Sequence, residues 1–251
     1  MAISNPYPEE TLGYRAVIEL RGDGILSFLH NILTCVVESL NQGELAYGAL
    51  LSPQGKILHD VFVHPLQGVV LLDCDRAGAA DLIAKLKLYR LRAKFEIALR
   101  QDLHVVVGGV GALDPRHPGL GVRGIAGGGT SGDAALYQAR RFALGIADTA
   151  EIGSGKLFPH EANFDQFGGV DFYKGCYIGQ EVVSRMQHRG TARSRILPVT
   201  VENDQFTDEN RVLEILGRSG SQGLALVRLD RWAEHGAPLG VTIAKPDWMK
   251  P

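Results

Sequence analysis

Between Tyr14 and Gly108 the apolar residues change period several times, without a regular strand-then-helix rhythm. "YRAVIEL" alternates, with Ala16, Ile18 and Leu20 on one face, which predicts a half-buried strand. "GDGILSFLHNILTCVVESLNQG" then repeats at helical spacing through Ile25, Phe28, Leu29, Ile32, Leu33, Val36, Val37 and Leu40, with Asp23 as the predicted cap and Gly43 beyond the end. "LAYGALL" and "KILHDVFVH" flank the turn-rich "SPQG" and predict a hairpin. "GVVLLDCD" predicts a strand, "RAGAADLIAKLKLYRL" a helix with Leu82, Ile83, Leu86 and Tyr89 on one face, and "KFEIAL" and "DLHVVVGG" further strands. A doubly wound parallel sheet needs a helix between successive strands, so hairpins set among helices point to an α+β fold with a largely antiparallel or mixed sheet.

From Gly108 to Asp133 the chain is dense in Gly and Pro and shows no apolar period, which predicts a long loop. Its "GVRGIAGGGTSG" lacks the Lys-Ser/Thr of a phosphate-binding loop. "ALYQARRFALGIADTAEI" resumes a helix-like period. After Gly190 come "RILPVTVE", "RVLEILG", "GLALVRL" and "PLGVTIAK", separated by Gly, Asn and Asp, which predict a small C-terminal β-barrel or sandwich. The expected division is residues 1–190, holding two α+β lobes and the Gly-rich loop 108–133, and residues 191–251, the barrel lobe.

Composition narrows the function classes. A chain of 251 residues with 45% hydrophobic and 22% charged residues is an ordinary globular one, and a formal net charge of −2 provides no global field for nucleic acid or anionic lipid. No eighteen apolar residues run uninterrupted, so no spanning helix is expected. "MAISNPYPEE" has neither the order of a secretory signal nor an Arg-rich, acid-poor face, and the expected location is the cytoplasm. Cys35, Cys74 and Cys176 are odd in number and far apart, which argues against a disulfide framework. His59 and His64 lie on opposite faces of one strand, which is wrong for a shared metal, and no metal site is expected.

The densest chemistry is in "DFYKGCYIGQEVVSR". Gly175 and Gly179 allow sharp turns, and "GQEVVSRM" reads as a helix start, so Cys176 is expected at or just before a helix N-terminus. There the dipole and Lys174 would favour a thiolate that acts as a nucleophile, a redox thiol or a metal ligand. One thiolate cannot make a closed structural zinc site. Gln180 and Glu181 fall on the first helical turn, and Arg185, His188, Arg189, Arg193 and Arg195 form a basic stretch able to receive carboxylates or phosphates.

"KGCYIGQEVVSR", preceded by "FPHEANFDQFGGVDF", resembles the signature of the YgfZ-type folate-binding proteins, relatives of the aminomethyltransferase (T-protein) of the glycine cleavage system and of mitochondrial iron–sulfur assembly factors. Lys174, Gly175, Cys176, Tyr177, Gly179, Gln180, Glu181 and Arg185 all match, and weaker likeness runs from "IELRGDGILSFLHNILT" through "LLSPQGKILHDVFV" and "LRAKFEI" to the C-terminal strands. The resemblance implies three lobes around a central opening that binds tetrahydrofolate, the last lobe a β-barrel. Glu161 matches a carboxylate suited to the pterin, and Gln180, Glu181, Arg185 and Arg189 are the further candidates for the folate, the arginines for its glutamyl tail.

Two departures bear on the reaction. Where the T-protein carries two aspartates, the first tied to catalysis, this chain has His59 and Asp60; a neutral imidazole does not replace the anionic partner of a folate amine. After Thr34, where the family has Asn-Asp, this chain has Cys35 and Val36. The expected function is a folate-binding protein that supports iron–sulfur cluster assembly or repair, with Cys176 as its reactive thiol, metal held only transiently, and iron–sulfur client or assembly proteins as partners. A folate-dependent one-carbon transferase using Asp60 or Glu161 as acid-base group, and a non-catalytic interaction module with a vestigial pocket, stay open beside it.

Overall fold

The computed structural model describes residues 7–91, 93–128, 134–190, 192–202 and 206–249. In chain order the elements are β1 (Glu10–Thr11), β2 (Arg15–Gly22), α1 (Ile25–Ile32), β3 (Ala46–Leu51), β4 (Ile57–Leu66), β5 (Val69–Asp75), α2 (Ala79–Arg90), β6 (Phe95–Arg100), β7 (Leu103–Leu113), β8 (Val122–Gly127), α3 (Ala135–Leu144), α4 (Thr149–Ile152), α5 (Gln180–Arg189), β9 (Ser194–Val201), β10 (Leu213–Ser219), β11 (Gln222–Arg228), α6 (Leu229–His235) and β12 (Val241–Ile243). They form an α+β architecture with three antiparallel sheets, of order β3-β4-β5-β2-β6, β1-β7-β8 and β10-β11-β9-β12. No helix among the described residues is long and apolar enough to cross a membrane.

Alternation along β2 divides the core. Ala16, Ile18 and Leu20 face Leu29 of α1 and Leu82 and Leu86 of α2, which cover one side of the five-stranded sheet. From the other side, Tyr47 and Phe62 pack with Phe142 of α3, with Phe164 and with Ile196 and Leu224 of the C-terminal sheet. That sheet is fastened to the rest by Arg195 on Asp165 (2.8 Å) and by the Trp248 indole N–H, which donates to the Leu144 carbonyl (2.7 Å).

Two sequence expectations need correction. The first helix stops at Ile32 rather than running to Leu40, and it starts after Gly24 with no side-chain cap, so Asp23 does not serve as one. Leu33 turns to extended backbone and bridges Leu50, and the Thr34 N–H donates to the Ala49 carbonyl (3.0 Å), so the next turn exchanges helical bonds for pairing with β3. Val37 and Cys35 still reach the same core, which is why the spacing resembled a helix.

The stretch 108–133 is mostly not a loop. β7 continues to Leu113 and pairs with β8, with a register shift between Val107 and Ala112. Its glycines permit close backbone approach: a Cβ on Gly108 would lie 2.1 Å from the Pro8 carbonyl oxygen, and one on Gly111 2.1 Å from that of Arg123. Residues 129–133 of this stretch lie outside the described residues.

Candidate functional site

Residues 171–179 form an irregular segment that leads into α5 and is tied to the body at several points. Thr34 sits at its base, its hydroxyl donating to the Gly169 carbonyl (2.5 Å) and accepting from the Ala49 N–H (2.9 Å). The Asp171 N–H donates to the Thr34 carbonyl (2.9 Å), and Asp171 Oδ1 accepts from the N–H groups of Tyr173 and Lys174 (both 2.7 Å), an Asx turn that sets the direction of the chain. The Lys174 ammonium donates to the carbonyls of His30, Leu33 (2.7 Å) and Cys35 (2.8 Å), and burial lowers its pKa. All three of its donor directions are used on the C-terminal end of α1 and the turn after it. Lys174 thus fastens the segment to α1 and the turn after it.

Cys176 lies on the exposed side of this segment, while Cys35 and Cys74 are buried, and burial pushes both of their thiols up to about 12. It precedes α5, whose N-cap is Gly179 with φ +80°, so the thiol stands outside the helix rather than on its first turn. Gly179 meets the "SPQG" turn: a Cβ there would sit 2.6 Å from the Ser52 carbonyl oxygen, and one on Gly55 would sit 2.9 Å from Val182 Cβ. The two glycines, Gly55 and Gly179, are 124 positions apart in the sequence but adjacent in space, two sides of one backbone contact.

The same turn leads to Glu161. Lys56, the next residue, donates to the Lys156 carbonyl (2.8 Å), lies 3.4 Å from the centre of the Phe158 ring and stands 3.9 Å from Glu161 Oε2. Glu161 Oε2 also accepts from the Phe158 N–H (2.8 Å); Oε1 has no hydrogen-bond partner among the described residues. Glu161 lines a cavity of about 410 Å³ whose walls mix Ile152, Leu157, Leu216 and Leu226 with Lys56, Lys156, Glu151 and Glu214. Glu161 is an acceptor of the kind that the amine and N–H edge of a pterin needs. The other candidates are elsewhere: Gln180, Glu181, Arg185 and Arg189 do not line it, and Arg185 pairs with Glu181 (2.5 Å) on the exposed face of α5. Lys56 and Lys156 are the basic side chains that line it.

Asp60 lies in the interior. It is 2% exposed, ion-paired with Arg15 (3.0 Å), and accepts a hydrogen bond from the Thr149 hydroxyl. It belongs to a network that sequence reasoning missed, in which Arg15, Arg116, Arg123 and Arg141 meet Asp60, Asp73, Asp114, Asp148 and Glu151, all buried. Asp73 bridges Arg15 and Arg123 (2.6 Å each), Asp114 pairs with Arg116 (2.8 Å), and Glu151 with Arg141 (3.0 Å). Burial disfavours the Asp73 charge, yet Arg123 and Arg15 together hold its pKa below the usual carboxylate range. The available signal was a charged residue inside an apolar strand, as in "VVLLDCD" and "GVRGIAG". Cys35 needs no ligand to explain it: its sulfur packs over Gly48, where a Cβ would come within 2.4 Å.

Residues 193–251 match the family described as the CAF17 C-terminal β-barrel domain. The chain is 33% identical over 232 residues to an iron–sulfur cluster assembly factor IBA57 homolog, mitochondrial, of Pyricularia oryzae, covering 79% of this chain and 58% of that protein. It is 32% identical to the corresponding protein of Neurospora crassa (73% and 51% covered) and 30% identical to that of Mycosarcoma maydis (74% and 55%). The chain thus spans little more than half the length of these relatives. Glycine cleavage system aminomethyltransferase T from Bartonella henselae superposes with a TM-score of 0.70 over 96% of this chain and 86% of that one, at 13% identity, which shows the fold. The expected cytoplasmic location is overturned by these relatives, which are named as mitochondrial, and the first residues of a chain that spans part of its relatives do not decide compartment. The chain is a homologue of the IBA57-type iron–sulfur cluster assembly factors, built on the aminomethyltransferase fold and closed by a CAF17-type C-terminal barrel domain.

Proposed function

We propose that this chain is an iron–sulfur cluster assembly factor that presents Cys176 to a cluster-bearing assembly or client protein and holds a tetrahydrofolate-type ligand in the cavity at Glu161. The observation that carries the reading is the contrast among the thiols: Cys176 alone of the three is exposed, on a segment held by Asp171, Thr34 and Lys174. Cys176 gives up its proton as its sulfur takes a coordination position on iron delivered by the partner, since thiolate is the form that ligates iron. No group of three His, Cys, Asp or Glu among the described residues is placed to hold a metal ion, so the partner supplies the remaining ligands.

Glu161 is the residue that would hold the amine edge of a bound tetrahydrofolate. The burial of Asp60 beside Arg15 weighs against the transferase reading, because a substrate amine cannot reach it. In this reading residues 1–190 carry the thiol and the folate cavity, and 191–251 close it.

The test is complementation of cells depleted of their own assembly factor, reading the activity of a [4Fe–4S] enzyme per unit of that enzyme. Cys176→Ala should be no better than the empty vector while accumulating to wild-type level. Full rescue by Cys176→Ala would overturn the role of the thiol. For the folate half, calorimetric titration with tetrahydrofolate should give saturable binding weakened at least tenfold by Glu161→Ala. Absence of binding to the wild-type protein would remove the folate from the proposal.

A further inference from the structure

Helix α2 is apolar on two sides. Leu82 and Leu86 pack into the core against the five-stranded sheet, as a surface helix requires. Leu88, two residues on and so about 200° round the helix from Leu86, is 68% exposed, and Leu91, the first residue after the helix, is 85% exposed. Leu91 has φ +50°, a left-handed conformation that a bulky side chain rarely adopts. The turn is tied down around it: the Ala93 N–H donates to the Arg90 carbonyl (3.0 Å), and the Arg90 guanidinium donates to the Phe95 carbonyl (2.6 Å). Two leucines three positions apart therefore stand out from the corner where α2 leads into β6.

The same stretch is strongly cationic. From Leu82 to Phe95 the sequence carries Lys85, Lys87, Arg90, Arg92 and Lys94 and no carboxylate, in a chain whose formal net charge is −2. Lys85 pairs with Asp81 (3.5 Å), whereas Lys87 and Lys94 are exposed and make no ion pair among the described residues. A chain with no global attraction for an anionic surface thus has a local one. The residue types decide what that surface is. Protein interfaces are depleted in lysine and anchor on aromatic and arginine side chains in fitted pockets, with leucine under-represented among the anchors. Protruding leucines beside free lysines suit a lipid interface instead. The boundary between headgroups and acyl chains accepts apolar side chains without a matching shape, and acidic headgroups meet the ammonium groups.

We propose that the corner between α2 and β6 is a peripheral membrane-docking surface, with Leu88 and Leu91 entering the interface of an anionic bilayer and Lys87 and Lys94 meeting its headgroups. The contact is reversible, because two leucines and a few cations bury far less than a spanning helix does. It depends neither on the thiol of Cys176 nor on the cavity at Glu161.

The test is co-sedimentation of the full chain with vesicles at millimolar lipid, either phosphatidylcholine alone or phosphatidylcholine mixed with phosphatidylglycerol. The mixed vesicles should bind the wild-type protein at least tenfold more tightly, since each cation near an anionic surface contributes about a fivefold gain. Leu88→Ser/Leu91→Ser should bind the mixed vesicles about tenfold more weakly than wild type, and Lys87→Glu/Lys94→Glu should bind them no better than it binds phosphatidylcholine alone. All four side chains are exposed, so both variants should keep the wild-type melting temperature, and the lysine variant carries the test should the leucine variant fail to fold. No binding of the wild-type protein to the mixed vesicles, equal binding to both vesicle types, or wild-type binding by either folded variant would each overturn the proposal. So would retention on immobilised poly-glutamate that needs the leucines while the vesicles are left unbound, because the surface would then belong to an acidic protein.

Discussion

Gly175 and Gly179 flank the exposed thiol and look alike in the sequence, but only one is under steric demand. Gly179 has φ +80°, and a Cβ there would strike the Ser52 carbonyl at 2.6 Å and the Gly55 Cα at 3.0 Å; at Gly175 a Cβ would meet nothing within 4 Å. Gly179→Ala should therefore lower the unfolding free energy by about 1–3 kcal/mol, whereas Gly175→Ala should stay within about 0.5 kcal/mol. Urea denaturation of the two variants checks this, and equal effects would mean that the turn contact contributes nothing. The chemistry of Cys176 was legible from residue type and neighbours. The work of Lys174 was not, because its three carbonyl partners come from residues 30–35, some 140 positions away.

Among elements, α1 and the segment 171–179 are stabilised together. Alternation and helical period located β2, β3, β4, β5 and α2 correctly, since those signals arise from one element packing on one core. They failed after Ile32 and again between Gly108 and Leu113, where backbone pairing with a distant strand outweighs local preference. Asp171→Ala removes the acceptor for the Tyr173 and Lys174 N–H groups and should loosen the segment without unfolding the sheets. Hydrogen exchange across 171–177 should accelerate about tenfold, the equivalent of one lost hydrogen bond, while β3 and β4 keep their protection. Unchanged exchange in 171–177 would show that Lys174 holds the segment alone.

At the scale of the whole molecule, the ionic network dominates the response to charge and pH. Arg15→Met leaves Asp60 and Asp73 short of a counter-charge in the interior and should destabilise the protein by about 3–5 kcal/mol, measured by thermal or denaturant unfolding. His64 sets a separate pH window. Its folded pKa, about 4, lies below its ordinary value of 6.5, so between these values the unfolded chain binds more protons. Stability is then full above pH 6.5 and falls as the pH drops toward 4, by about 3 kcal/mol. His64→Phe should flatten that slope. Below pH 4 a further loss should come from Asp73, Asp148 and Asp165, whose folded pKa values are depressed, and it should persist in His64→Phe.

By itself the sequence determined the α+β class, most of the strands, the helices α2, α3 and the start of α5, and the segment carrying the exposed thiol, because amphipathic period and turn chemistry act over a few residues. Only the tertiary structure decided that Asp60 is a buried ion-pair partner and that Lys174 is a fastening. Burying a charge is tolerable only beside its counter-charge, and those counter-charges come from strands and helices that meet only when the sheets close on one another.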